Sequence, residues 1–283
     1  MTTSSKIKKM AIPRVVKSLF DSVPLKTYKD NALPIQGDGI HYFEGESSAQ
    51  LTLGVFNVFE CEGRIIPTDP ISLATALILA FKNNLKLPSQ EITTASSSGL
   101  MKMSFYGSPN KVLPMLIESN DTRVIRSLDE IAHSISSNNL KDEETKLVND
   151  LIDTLFYDLW ILCIMTEKLP FDVIAQIFGL QSSIMSQAEL MDFMAEVPSW
   201  NNFTRRHPNL SGQYLTNFYH QKLKEFDGDL DLIIEYTEQH PNEIIQFKLA
   251  GYFNIIDQLL KSTELGQIVS QKPFVKSCYQ LLN

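Results

Sequence analysis

The stretch that most constrains the fold is residues 51–87, LTLGVFNVFECEGRIIPTDPISLATALILAFKNNLKL. Residues 51–59 contain no charge and are rich in Leu, Val and Phe. That composition suits a single strand covered on both faces, because a strand with one wet face alternates. Thr68 or Asp69 then offers a side-chain oxygen to cap a helix, and Pro70 stands in the first turn, where its missing N–H costs nothing. Nearly every residue from Ile71 to Phe81 is apolar, so the spacing predicts a helix packed on more than one side and ended by Lys82, Asn83 and Asn84. A buried strand feeding a buried helix through a short ordered crossover opens a βαβ unit.

A chain of 283 residues is long enough for two domains. Its net charge of −8 argues against nucleic-acid binding through a basic face. The charge is uneven: residues 1–20 carry Lys6, Lys8, Lys9, Arg14 and Lys17 and no acid, whereas residues 224–264 carry nine acids against three lysines. Cys61, Cys163 and Cys278 are far apart, with neither metal nor redox spacing, which fits a reducing compartment. No run of apolar residues is long enough to span a bilayer; the nearest, 155–165, contains Asp158. Membrane contact is therefore expected through partners. The basic start reads as a tail rather than a targeting helix, since Pro13 interrupts it.

Residues 14–23 place Val15, Leu19 and Val23, with Val16 and Phe20, at helical spacing before Pro24, and 31–48 read as a loop. After the opening strand and helix come a polar loop, a strand over 100–106, a Gly-Ser-Pro-Asn turn, a strand over 112–117 with Pro114 near its start, and a short strand at 123–126. Ser127 and Glu130 form a capping box for a helix whose buried side is Leu128, Ile131 and Ile135. From Lys141 the pattern is helical. Two ridges, Leu147, Leu151, Leu155, Leu159 and Val148, Ile152, Phe156, Trp160, run along 143–165. A helix over 171–178 ends at Gly179, another covers 182–195, and 197–208 is irregular, with Trp200 and Phe203 beside Arg205 and Arg206. The remainder reads as three or four helices broken at Gly228, Pro241 and Gly266. The acids Glu225, Asp227, Asp229 and Asp231 lack a calcium-loop pattern and read as a solvated helix face.

The order βαβ, ββα, then an all-helical half resembles the glutathione-transferase fold. Leu113-Pro114-Met115-Leu116 after Ser108-Pro109 is similar to that family's proline-led strand, whose proline is typically cis, and Ser127 matches its helix-capping serine. The closer resemblance is to metaxins, in particular the fungal metaxin-like subunits of the mitochondrial sorting and assembly machinery. It is carried by Val16-Lys17 with Leu19-Phe20-Asp21, Pro24-Leu25-Lys26-Thr27-Tyr28, Leu53-Gly54-Val55-Phe56-Asn57-Val58-Phe59, Thr68-Asp69-Pro70, Arg123-Val124-Ile125-Arg126-Ser127 and Leu151-Ile152-Asp153-Thr154-Leu155-Phe156-Tyr157-Asp158. It spans residues 16–160 and thins beyond to Pro241-Asn242, where Ile245 stands in place of the usual acid of the cap.

The expected architecture is therefore an extension (1–48), a thioredoxin-like α/β domain (49–138) and an all-α domain (141–283), a glutathione-transferase-like layout. A transferase needs a hydroxyl or thiol at the first strand's end to lower the pKa of the glutathione thiol. Thr68 and Cys61 are the nearby candidates, and Arg126 occupies the place of the family's acid before the serine. The glutathione site is thus expected to be lost, with Thr68 a helix cap. The five histidines lack metal spacing, and no nucleophile elbow or phosphate loop occurs, so neither cofactor, metal nor catalytic residue is expected.

What the resemblance implies is a non-enzymatic peripheral subunit on the cytosolic face of the mitochondrial outer membrane. Its partners would be the β-barrel core subunit, a second metaxin-like subunit and β-barrel precursors, whose last-strand signal it would help recognise. A soluble transferase, or a transferase-fold assembly module in a cytosolic complex, is the alternative. Phe20, Tyr28, Trp200 and Phe203 are the candidate partner contacts, aromatic side chains on irregular segments, against the alternative that they pack within the chain.

Overall fold

The computed structural model describes residues 39–90, 95–108, 110–119, 123–140, 142–180 and 187–283. The basic tail, the segment 14–23 with Phe20, Tyr28, Pro109, part of the polar loop and the start of the helix expected over 182–195 lie outside the described residues.

The N-terminal layer is a five-stranded mixed sheet in the order β1 (Ile40–Glu44), β5 (Ala95–Lys102), β2 (Leu51–Val55), β6 (Met115–Ser119), β7 (Arg123–Arg126). Leu53 of β2 sits at the centre, in register with Leu100 of parallel β5 and Leu116 of antiparallel β6. Buried on both sides, β2 needs no polar alternation. The Leu113–Pro114 peptide just ahead of β6 is cis. The strand β1 falls within the stretch expected to be a loop; its Ile-His-Tyr-Phe core is masked by flanking glycines and pairs antiparallel with β5, Ile40 opposite Met101.

The expected single strand over 51–59 stops at Val55. The chain turns at Asn57, whose carbonyl accepts the Thr68 N–H at 3.0 Å, so residues 57–68 close a loop. Inside it β3 (Val58–Cys61) and β4 (Arg64–Pro67) form a separate hairpin. Glu62 and Gly63, with φ of 51° and 75°, supply the two left-handed residues that a two-residue hairpin turn requires. Arg64 pins the hairpin to the sheet, donating to the Glu44 carboxylate at 2.9 Å and to the Leu87 carbonyl at 3.1 Å.

Helix α1 (Pro70–Lys82) is capped by Asp69, whose carboxylate accepts the Ser72 N–H at 2.8 Å. It ends in a Schellman arrangement: Leu85 N–H reaches Ala80 O at 2.8 Å, Asn84 N–H reaches Phe81 O at 3.3 Å, and Asn84 takes φ of 54°. At the start of α2 (Leu128–Asn139), Glu130 accepts from the Ser127 N–H at 2.7 Å and from its hydroxyl at 3.0 Å.

In the helical layer, α3 (Glu143–Leu151) and α4 (Tyr157–Thr166) join through one π turn, Ile152–Phe156. That turn changes the helical phase. The ridge Ile152, Phe156, Trp160 is buried throughout, whereas the leucine ridge is exposed at Leu147 and buried only by Leu159. Next come α5 (Phe171–Phe178), closed by Gly179 at φ 66°, then α6 (Gln187–Glu196), a 3-10 turn (Val197–Asn202) and the one-turn α7 (Phe203–Arg206). The long α8 (Gly212–Gln239) runs straight through Gly228, contrary to the expected break. A helical glycine costs only about 1 kcal/mol, and Leu223, Phe226, Leu230 and Ile233 keep one buried face on both sides of it. Asn242 caps α9 (Glu243–Leu259), accepting from Ile244 N–H at 3.0 Å and Ile245 N–H at 3.3 Å. The next break falls at Leu260–Thr263, not at Gly266, which lies inside α10 (Glu264–Ser270); α11 (Phe274–Gln280) follows Pro273.

The layers meet where α9 crosses α1. A Cβ on Gly251 would stand 2.5 Å from the Pro70 carbonyl oxygen, so only glycine permits this approach. One apolar core runs through sheet and helices.

Candidate functional site

Two places could carry function: the β2 end, where a transferase holds its thiol substrate, and a groove between the layers.

The β2 end is covered by the C-terminus of α5. Thr68, fully buried, donates its hydroxyl to the Ile177 carbonyl at 2.5 Å and lies 3.2 Å from that of Asn57. Asn57 donates its side-chain amide to the Gln176 carbonyl at 2.7 Å. Gly179 lies so close that a Cβ there would meet the Phe56 carbonyl oxygen at 2.5 Å. Thr68 is thus neither the α1 cap, a role taken by Asp69, nor a hydroxyl free to face a thiol. Cys61 is buried on the hairpin, and burial pushes its thiol up to about 11, away from the thiolate range. Cys163 and Cys278 are buried too, at about 11 and about 12 for the same reason. Arg126, at the position of the acid, is held by Glu118 through two hydrogen bonds of 2.6 and 3.1 Å.

Beyond the β2 end the space is filled by rings. Phe56 stacks on Trp200 at 5.1 Å, with Phe105, Phe178 and Phe193 edge-on or tilted around them. Trp200 and Phe203, expected as partner contacts, are each 2 % exposed. Their irregular segment is drawn inward by Asp158, whose carboxylate binds the Arg206 guanidinium and lies 2.7 Å from His207 Nε2, while Arg206 also donates to the Asn201 carbonyl at 2.6 Å. Packing within the chain describes both rings. The acids of α8 lie on a solvated face as read, with Lys272 bridging Asp227 at 3.2 Å and Asp231 at 2.8 Å. Among the described residues no group of His, Cys, Asp and Glu could hold a metal ion, and no helix is long and apolar enough to cross a membrane.

The groove lies between α1, α2 and α9 and encloses about 90 Å³. Its apolar wall is Ile71, Ala74 and Ile78 of α1 with Ile131 and Ile135 of α2. Its polar end brings Asp129, Asp153, Asn201, Lys248 and Tyr252 together. Lys248 is buried, its ammonium 2.6 Å from both the Asn149 amide oxygen and the Asp153 carboxylate. Tyr252 is 2 % exposed, and burial raises its phenol well above the ordinary value. Nearby, burial lifts the Asp69 carboxyl to about 6. In the sequence Leu128, Ile131 and Ile135 read only as a helix's buried side, and nothing there marks a groove. The available signal was Lys248, a lone cation in the apolar run IIQFKLAGYF, which in a buried helix calls for a carboxylate on a neighbour.

The architecture is a thioredoxin-like sheet layer followed by an all-helical half, the transferase-like layout, with α5 over the thiol position and a groove left open between the layers. Comparison with known proteins adds two findings. Residues 10–118 match the family model described as SAM35, subunit of SAM complex. The chain is also 29 % identical over 268 residues, 82 % of this chain and 81 % of the relative, to the sorting assembly machinery 35 kDa subunit of Saccharomyces cerevisiae. Both are likenesses of this chain to SAM35 subunits.

Proposed function

We propose that this chain is a non-enzymatic subunit of the mitochondrial outer-membrane sorting and assembly machinery, held peripherally on the cytosolic side. It binds the sorting signal of β-barrel precursors and helps their insertion. Its neighbours are the β-barrel core subunit and a second metaxin-like subunit. The observation that carries this reading is the likeness to the yeast 35 kDa subunit over most of both chains. The engagement of Thr68 by the α5 carbonyl and the burial of Cys61 support binding over thiol chemistry. Phe20 and Tyr28 are proposed as the handle for the core subunit.

The test is co-purification from mitochondria. The chain is expected to travel with the core subunit, to be released by alkaline carbonate, and to lose the core subunit when residues 1–28 are deleted. Unchanged co-purification of the deletion removes the handle. Recovery in the carbonate pellet without the core subunit contradicts peripheral attachment. Retention on immobilised glutathione that Thr68→Ala abolishes would assign a transferase instead.

A further inference from the structure

An extended precursor segment can be read by strand addition at a sheet edge or by a groove that receives its side chains. Both sheet edges discourage addition. At one, β7 has four residues with an arginine at each end; at the other, β1 is bulged between Tyr42 and Glu44. The groove has the opposite character. Its volume of about 90 Å³ is several times what one water occupies and matches a single large apolar side chain. Tyr252 lines it, and although the residue as a whole is 2 % exposed, its hydroxyl is not one of the buried polar atoms left without a partner. It is therefore open to pair with a group brought into the groove. The charge at the polar end has one sign. Lys248 is neutralised by Asp153, whereas Asp129 is exposed and has no ion pair among the described residues. Glu130 beside it is already engaged by Ser127.

We propose that the groove between α1, α2 and α9 seats one apolar side chain of an extended peptide, with the Tyr252 hydroxyl pairing to the peptide backbone and Asp129 to a neighbouring cationic side chain. This rests on the function proposed above and names the place where the precursor segment is held.

The experiment measures fluorescence anisotropy of the full chain with two labelled peptides of alternating apolar residues, one carrying a single lysine and the other a glutamate in its place. Ala132→Trp, which fills the α2 side of the groove, is expected to weaken the lysine peptide by at least about tenfold. Asp129→Lys, an exposed change in the first turn of α2 whose folding is checked by circular dichroism, is expected to reverse the preference from the lysine to the glutamate peptide. Binding that survives both substitutions overturns the groove, and if Ile125→Lys on β7 alone abolishes it, the edge is the site. A wild-type chain that binds neither peptide removes the precursor-binding reading itself, so the two failures are distinguishable.

Discussion

Replacing Asp69 by Asn isolates the cost of a buried carboxylate at the α1 cap. One carboxylate oxygen of Asp69 accepts the Ser72 N–H at 2.8 Å, whereas the other is buried without a partner among the described residues. Burial outweighs the capping bonds and lifts the carboxyl from 3.8 to about 6. The folded state therefore holds its proton over a pH range in which the unfolded state has lost it. Stability contributed by this group is fully present below about pH 4 and is lost as pH rises through 6. A shift of about two units corresponds to about 3 kcal/mol. Asn caps as well as Asp does but carries no titrating proton. The offset between the two proteins at low pH absorbs whatever the new amide gains or loses in place of the second oxygen. The change of that offset with pH belongs to Asp69 alone. Urea unfolding of both proteins from pH 4 to pH 7.5 is expected to show the Asn protein gaining about 2.5 kcal/mol relative to the native chain, since the unfolded carboxyl is already partly ionised at pH 4. Two stability curves that run parallel across this range would refute the reasoning.

Gly251→Val places branched carbons against the Pro70 carbonyl and Ala74, and is expected to cost about 1–3 kcal/mol by forcing α9 off α1, read as a lower urea midpoint. Asp158→Ala leaves Arg206 and His207 without their shared carboxylate and is expected to cost about 3 kcal/mol, the low end for breaking a buried pair. Because that carboxylate draws in the segment carrying Trp200, the same variant should red-shift the tryptophan emission.

What could be read from the residues was local chemistry. Pro70 after Asp69, Gly179 after an apolar helix and Asn242 after Pro241 each mark a helix end through a group with one physical use, and each helix end lies there. What could not be read depended on partners distant in the chain. The run over 51–59 reports burial, not which strand it pairs with, so the hairpin hidden in it needed the two left-handed residues Glu62 and Gly63 to be recognised, and glutamate rarely signals that conformation. Trp200 and Phe203 lie on an irregular segment that composition reads as surface; Asp158, more than 40 positions earlier, pulls it in. Gly228 looked like a breaker because propensity is local, while the face it interrupts is held by packing. The groove combines residues near 75, 130, 153 and 250, which only the tertiary fold brings together.

The crossing at Gly251 has a consequence for how the chain divides. The stretch that matches the family model ends at residue 118, yet α1 within it is apolar nearly all round and finds its partner in α9, more than 130 positions away. Cut out alone, that stretch would present Ile71, Ala74 and Ile78 to water and leave Thr68 without its Ile177 acceptor. The stretch that matches the family model is therefore not a segment that can stand by itself, and the native chain should melt in one cooperative transition rather than half by half.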